Sequence, residues 1–359
     1  MTADLFNGLW FEDPRLHCIK IGGARMSKIA AVSIAIVLLF LCGAALAQEK
    51  QLRKLQLAYG AASSSRIPYW VAKEAKLYEK YGLDANLVFI SGAPVALNAL
   101  LAGDVQMVAT SGVAGISLAA QGGPIAIIAN IGPTPYKLVA HPSINSIHGL
   151  KGKVIGTDRV GGATDFALQD LLPQLGLVPS KDVQLLATGL SSSAERVLLI
   201  HRGKIDATLA VLDNVLKMEL KGYKVNILAD VLEHGVYASG GDLMTSRPFL
   251  KQNREMAKAF LQALCEAIWL ARKDKELVLR VYRKYLKTDE AVLLESIYNN
   301  YVLGVIQTKP YPDEKGMQRT IDLLAPTNPH LKGQRVASFI DDSLLKEIER
   351  EGFFARFYR

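Results

Sequence analysis

Past Gln48 the hydrophobic positions change period repeatedly. Leu55, Leu57 and Tyr59 alternate with polar neighbours, which predicts a strand over 52–59. A polar loop, 61–66, leads to Pro68, well placed in a first helical turn. Ile67, Val71, Ala75 and Tyr78 then share one face of a helix that Gly82 ends, and 85–90 reads as the next strand. The same beat gives helix 94–102, strand 105–109, helix 113–121 and strand 125–131, the last so continuously apolar that it suits burial on both faces. A second round follows the polar stretch His141-Pro142-Ser143-Ile144-Asn145. It comprises strand 153–156, helix 164–175, strand 183–187, a helix opened by the capping-box spacing Ser192-x-x-Glu195, and strand 207–212. From Pro248 the pattern is mainly helical: 249–273, 276–287, 290–302 and shorter pieces beyond Pro312.

Strands alternating with helices of this length imply an α/β fold, with parallel-rich sheets and crossover helices. The two rounds also resemble each other. Leu100-Leu101-Ala102-Gly103-Asp104-Val105 matches Leu199-Ile200-His201-Arg202-Gly203-Lys204-Ile205: a helix end, a glycine, a polar residue, then a strand. Gly82-Leu83 and Gly176-Leu177 precede corresponding strands. Two similar α/β lobes are expected.

Composition adds little until the N-terminus is set apart. Half of the 359 residues are hydrophobic and 21% are charged, enough apolar mass for a sizeable core. Much of the excess lies after Met26: Lys28, an uncharged apolar run, then Ala45-Leu46-Ala47, the three parts of a secretory signal peptide. We expect 26–47 to be that signal, cleaved after Ala47, and 1–25 to be a non-native extension ahead of the true start at Met26. Leu41 is bulky where a lipidation site needs a small residue, so lipid anchoring at Cys42 is not expected. Cleavage leaves 312 residues, a net charge of +7 and Cys265 as the one cysteine, within a helical apolar pattern that argues for a buried thiol. The charges are scattered, which argues against nucleic acid.

At this point a family emerges. Ile67-Pro68-Tyr69-Trp70-Val71-Ala72-Lys73-Glu74 followed by Leu77-Tyr78-Glu79-Lys80-Tyr81-Gly82-Leu83 resembles the opening of nitrate/sulfonate/taurine-type substrate-binding proteins of ABC importers, a group that shades into thiamine-pyrimidine-precursor-like proteins. Further signposts are Leu100 to Val108 with Gly103-Asp104, Leu150 to Gly156, Gly203 to Ala207, Tyr311 to Leu324 and Phe339 to Leu345. The resemblance implies the two-lobed type II fold of periplasmic binding proteins. Lobe 1 would combine 48–140 with 241–359, lobe 2 would be 141–240, and hinges would lie near His141-Pro142 and Gly240-Gly241. It also implies a periplasmic monomer that hands a small-molecule solute to an ABC permease in the inner membrane.

Ligands of such sheets bind beyond the carboxyl ends of the strands, where helix N-termini supply free N–H groups and a positive dipole end. Four strand-to-helix turns carry small polar residues. Their candidates for ligand binding are Ser64 and Ser65; Thr110, Ser111 and Gly112; Gly162, Ala163 and Thr164; and the turn 189–193. Arg66 at the mouth of the first turn would pair with an anion, and Tyr69 would supply an aromatic wall. Asp213-Asn214 at a strand end and Asp242 beside Gly240-Gly241 complete the set, each equally open to a capping or hinge role. His141, His148, His201, His234 and His330 show no metal-binding spacing, and the GxSxG, Walker and GxGxxG patterns are absent. No cofactor and no metal are expected. The expected function is non-catalytic capture of a small, anionic organic solute. The alternatives are an enzyme on the same fold, of the pyrimidine-precursor-synthase kind, and a ligand-sensing subunit of a membrane receptor.

Overall fold

The computed structural model describes residues 51–60, 63–236, 240–326 and 328–358. The expected signal peptide and N-terminal extension lie outside the described residues. Along the first part of the chain run β1 (Arg53–Tyr59), α1 (Ile67–Glu74), α2 (Leu77–Lys80), β2 (Leu83–Phe89), α3 (Ala93–Ala102), β3 (Met107–Thr110), α4 (Gly112–Ala120) and β4 (Ile125–Asn130). All six residues of β4 are buried, as its unbroken apolar run requires. The expected helix through Tyr78 is two helices instead, because Lys76 takes a left-handed backbone (φ 54°) between α1 and α2.

The second part holds β5 (Tyr136–Ala140), β6 (Val154–Thr157), α5 (Ala163–Gln174), β7 (Gln184–Ala187), α6 (Ser193–His201), β8 (Ala207–Val211), α7 (Leu212–Glu219) and β9 (Asn226–Asp230). Then come β10 (Asp242–Ser246), α8 (Arg247–Gln252), α9 (Arg254–Lys273), α10 (Lys275–Leu286), α11 (Ala291–Ile297), α12 (Glu314–Leu324) and α13 (Ser343–Arg350). Asn253 divides the expected 249–273 helix into α8 and α9. A π turn, Tyr298–Leu303, continues α11.

Two five-stranded sheets result, ordered β2-β1-β3-β10-β4 and β7-β6-β8-β5-β9. Each is built on one plan. Three adjacent strands pair in parallel, as the alternating beat implies, and one antiparallel strand is inserted between them and a fourth that runs in their direction. In the first sheet β10 is the insert; in the second it is β5. The helix–glycine–strand likeness around Gly103 and Gly203 therefore marks equivalent positions, the entries to β3 and β8.

The sequence reading placed the first passage between lobes at His141. β5 is already paired with β8 and β9, so the chain leaves the first sheet earlier, across 131–135. The return segment runs beside this one: the Ile131 N–H donates to Gly241 O at 2.9 Å. Glycine is needed there. A Cβ on Gly240 would collide with Thr134 Oγ1, and one on Gly241 with the Gly132 carbonyl.

Each sheet has its own core. The larger packs the first sheet and α1 against α9, α10 and α11, with Trp70 stacked on Tyr285 at a centroid distance of 4.7 Å. Cys265 is buried there, and burial pushes its thiol well above the usual range. The second sheet buries Leu138, Ile155, Leu168 and Leu209 on one face and Val139, Val197, Ile200 and Ala210 on the other.

Candidate functional site

The six strands that pair in parallel, β1, β2, β3, β6, β7 and β8, end at one cavity of about 660 Å³, lined by residues at and beyond their C-terminal ends. The loops beyond those strands are short and open straight into helices. As a result the N-caps of α3, α4, α5 and α6 (Gly92, Ser111, Gly162 and Ser192) all face the cavity. Two of these are glycines, and neither serine side chain makes a capping bond among the described residues, although Asp242 takes the Gly112 N–H at the start of α4. Helix N-termini bring backbone N–H groups and the positive end of the dipole to the cavity.

Arg66 lies on the 3-10 turn ahead of α1 and is 4% exposed. Its Nη2 donates to Gly240 O at 2.6 Å and its Nη1 to Ala109 O at 3.4 Å, while Nε has no partner among the described residues. No carboxylate lies within 4.0 Å of it among the described residues. A buried guanidinium without a counter-ion is costly unless an anion completes it. Ser111, whose buried Oγ also has no partner among the described residues, lines the same cavity.

Arg196 is a second buried cation, absent from the sequence expectations. It projects from α6 at 1% exposure. Nε donates to Thr208 Oγ1 at 2.9 Å, Nη1 to Leu190 O at 2.7 Å, and Nη2 to Leu209 O at 2.9 Å. Burial lowers its pKa from the usual arginine value, opposed by Tyr136, Asp158 and Glu195. Between the two arginines, Tyr136 has its phenol pushed up to about 12 by burial and then by Asp158, with Arg196 and Arg66 pulling the other way. The one signal in the sequence was a charge four residues before Ile200 on an apolar helix stripe.

Of the expected ligand residues, Ser65, Arg66, Thr110, Ser111, Gly162, Ala163 and Asn214 line the cavity. Asn214 is held by a 2.9 Å hydrogen bond from its Nδ2 to Ser193 Oγ. The others are elsewhere. Tyr69 is 1% exposed within the larger core, because its place on α1 faces the C-terminal helices. Thr164 closes its own turn, donating to Asp158 Oδ1 at 2.7 Å and accepting from the Asp158 N–H at 2.8 Å. Asp242 sits inside the first sheet opposite Thr110 and Asn130, where it accepts from the Gly112 N–H at 2.9 Å and Asn130 Nδ2 at 2.7 Å. Gly112 is thereby engaged as well. Ser64 and Asp213 meet at a separate cavity of about 140 Å³, where the Ser64 N–H donates to Asp213 Oδ2 at 3.1 Å. Burial raises the Asp213 pKa, and the hydrogen bonds from Ser64 lower it.

Among the described residues no group of three or more His, Cys, Asp or Glu side chains is placed to hold a metal ion. No described helix is long and apolar enough to cross a membrane.

The family model described as NMT1/THI5 like matches residues 63–276, more than half of the chain and every residue that lines the cavity except Gly60. The chain belongs to the NMT1/THI5-like family. No curated protein matches it. Solved structures do. The periplasmic aliphatic sulphonate binding protein SsuA from Escherichia coli is 20% identical with a TM-score of 0.66, over 82% of this chain and 99% of that one. The periplasmic nitrate-binding protein NrtA from Synechocystis is 15% identical with a TM-score of 0.69, over 84% and 89%. The alkanesulfonate-binding protein SsuA from Xanthomonas axonopodis, bound to MOPS, is 18% identical with a TM-score of 0.63, over 83% and 98%. This NMT1/THI5-like chain thus has the periplasmic-binding-protein fold: two mixed sheets flanked by helices.

Proposed function

We propose that the protein is a periplasmic solute-binding protein that captures a small anionic organic molecule, sulfonate- or carboxylate-like, and delivers it to the permease of an ABC importer. The observation that carries this reading is Arg66: buried, without a carboxylate partner and with an unpartnered Nε among the described residues, in a cavity lined by the N-terminal residues of four helices. Such a site is complementary to an oxyanion and needs no cofactor. The solved structures of similar fold support it, being of proteins described as binding nitrate and sulfonates.

In this reading residues 48–140 and 241–359 form one lobe and 141–240 the other, apart from β5, which joins the second. The lobes close on the ligand by bending near 131–135 and Gly240-Gly241, where the Ile131 N–H donates to Gly241 O. Ser65, Arg66, Thr110, Ser111, Gly162, Ala163 and Asn214 contact the solute. The cavity volume, about 660 Å³, is within the range of sites for small organic ligands.

A thermal-shift screen of the full chain across nitrate, alkanesulfonates, and aliphatic and aromatic carboxylates tests the proposal. At least one acid should raise Tm by several degrees, and the bound acid should be taken up by vesicles carrying the permease. A screen in which neutral and cationic compounds stabilise and every acid fails would overturn it.

A further inference from the structure

The cavity carries more positive charge than one small anion would balance. Four cationic side chains line it, Arg66, Arg159, Arg196 and Lys217, against two acidic ones, Asp158 and Glu195. Asp158 is moreover engaged by Thr164, which donates to its Oδ1 at 2.7 Å.

Two of the cations have donors left over, and they sit at different depths. Arg66 is buried. Arg159, on the loop after β6, is half-buried, and its single hydrogen bond runs from Nη2 to Ser191 Oγ at 3.0 Å. No carboxylate lies within 4.0 Å of it among the described residues. Its guanidinium lies against Gly92, at the start of α3 and beyond a strand of the other sheet. A Cβ on Gly92 would be 2.9 Å from both Nη1 and Nη2 and would push the guanidinium aside, and Gly92 has φ +92°, a backbone that calls for glycine. Arg159 therefore reaches across the mouth of the cavity into a seat that a side chain at 92 would fill. Phe89 and Val160 stand beside it, 53% and 85% exposed, and both line the cavity. Apolar side chains in a concave, cation-lined mouth match a ligand with an apolar middle.

Resting on the solute-binding reading above, we propose that the ligand carries two acidic groups, one held at Arg66 and one at Arg159, with an apolar spacer against Phe89 and Val160. The chemical class is a small dicarboxylate or sulfocarboxylate. Arg159 is then the residue that sets dianion against monoanion, because a monoacid seated at Arg66 leaves the mouth cation without a partner. The planar fork of arginine suits a carboxylate or sulfonate bidentately, which lysine does not.

Calorimetric titration of the full chain with matched acid pairs tests this: butanoate against succinate, benzoate against terephthalate, ethanesulfonate against sulfoacetate. In at least one pair the diacid should bind about tenfold more tightly or better, as one added charge-assisted contact provides. R159Q should remove most of that margin and leave the monoacid within about twofold of wild type, an independence expected of well-separated contacts. R159K, keeping charge without the fork, should retain part of it. Equal binding of mono- and diacids, or equal weakening of both by R159Q, overturns the inference while leaving anion capture standing. Failure of every acid to bind overturns both.

Discussion

Arg66, on the turn after β1, and Arg196, on α6, are almost fully buried and line one cavity without a carboxylate partner among the described residues, yet they differ in what their donors do. Arg196 has Nε, Nη1 and Nη2 all engaged, by Thr208 Oγ1 and the carbonyls of Leu190 and Leu209, with Ser191 O a further 3.4 Å contact. It ties the loop after β7 to β8 and holds the first turn of α6 in place. Arg66 has two carbonyl contacts, one of them long, and a free Nε. The difference separates scaffold from site. A buried cation whose hydrogen bonds close on the protein's own backbone holds a wall, whereas one left open holds a ligand. Both contribute positive field to the cavity; only one is left with the donor to make a contact.

Substituting each arginine should therefore have opposite signatures. Arg66→Met should weaken binding of the stabilising acid by about 2–5 kcal/mol, the range for removing one partner of a buried charged pair, with little change in the unliganded Tm. Equal affinities in wild type and variant would merge the two arginines into one structural class. Arg196→Met leaves the carbonyls of Leu190 and Leu209 buried without donors and should cost about 2–3 kcal/mol of stability in urea unfolding. If Arg196→Met melts as wild type does and loses only affinity, the division of roles is reversed.

Asp213 sharpens the comparison from the acidic side. Its folded-state pKa is raised from the ordinary 3.8, mainly by burial. The folded protein then holds that proton to higher pH than the unfolded chain, so the group's contribution to stability falls as pH rises from 3.8 through the raised value. Asp165, also raised by burial, acts in the same sense. Asp213→Asn should be more stable than wild type at pH 7, with the gain shrinking toward pH 4. Unfolding curves that keep a constant difference between those pH values would show that Asp213 titrates normally. The smallest effect belongs to Ser111→Ala. Its hydroxyl has no protein partner, so stability should hold, while affinity for the acid drops by about 0.5–1.5 kcal/mol, one hydrogen bond's worth. An unchanged affinity would remove Ser111 from the site.

The parallel strands and the turns after them were legible because each announces itself locally. β1 alternates, β4 is apolar throughout, and Gly103 and Gly203 close helices just before strands. The three antiparallel or terminal strands β5, β9 and β10 were not. Their five-residue segments (YKLVA, NILAD and DLMTS) mix charge with apolar positions and gain strand structure from partners as distant in sequence as Met107 is from Thr245. That is also why the first crossing was placed several residues late. Residue type and position beyond a strand were enough to put Arg66, Ser111 and Asn214 at the cavity. They failed for Tyr69 and Asp242, whose side chains turn into the core and the first sheet. Arg196 and Arg159 were hidden for another reason. Nothing near either in the sequence says that Leu209, thirteen residues on, or Gly92, sixty-seven residues back, would meet it.

The most direct test of the central claim is a crystal structure of the protein soaked with 2-bromoethanesulfonate, in which anomalous scattering fixes the bromine and the density fixes the head group. The account predicts the sulfonate within hydrogen-bond distance of Arg66 Nε and Ser111 Oγ, with the bromine toward Phe89 and Val160. A sulfonate bound away from Arg66, or seated on Arg196 in place of its backbone carbonyls, would contradict it.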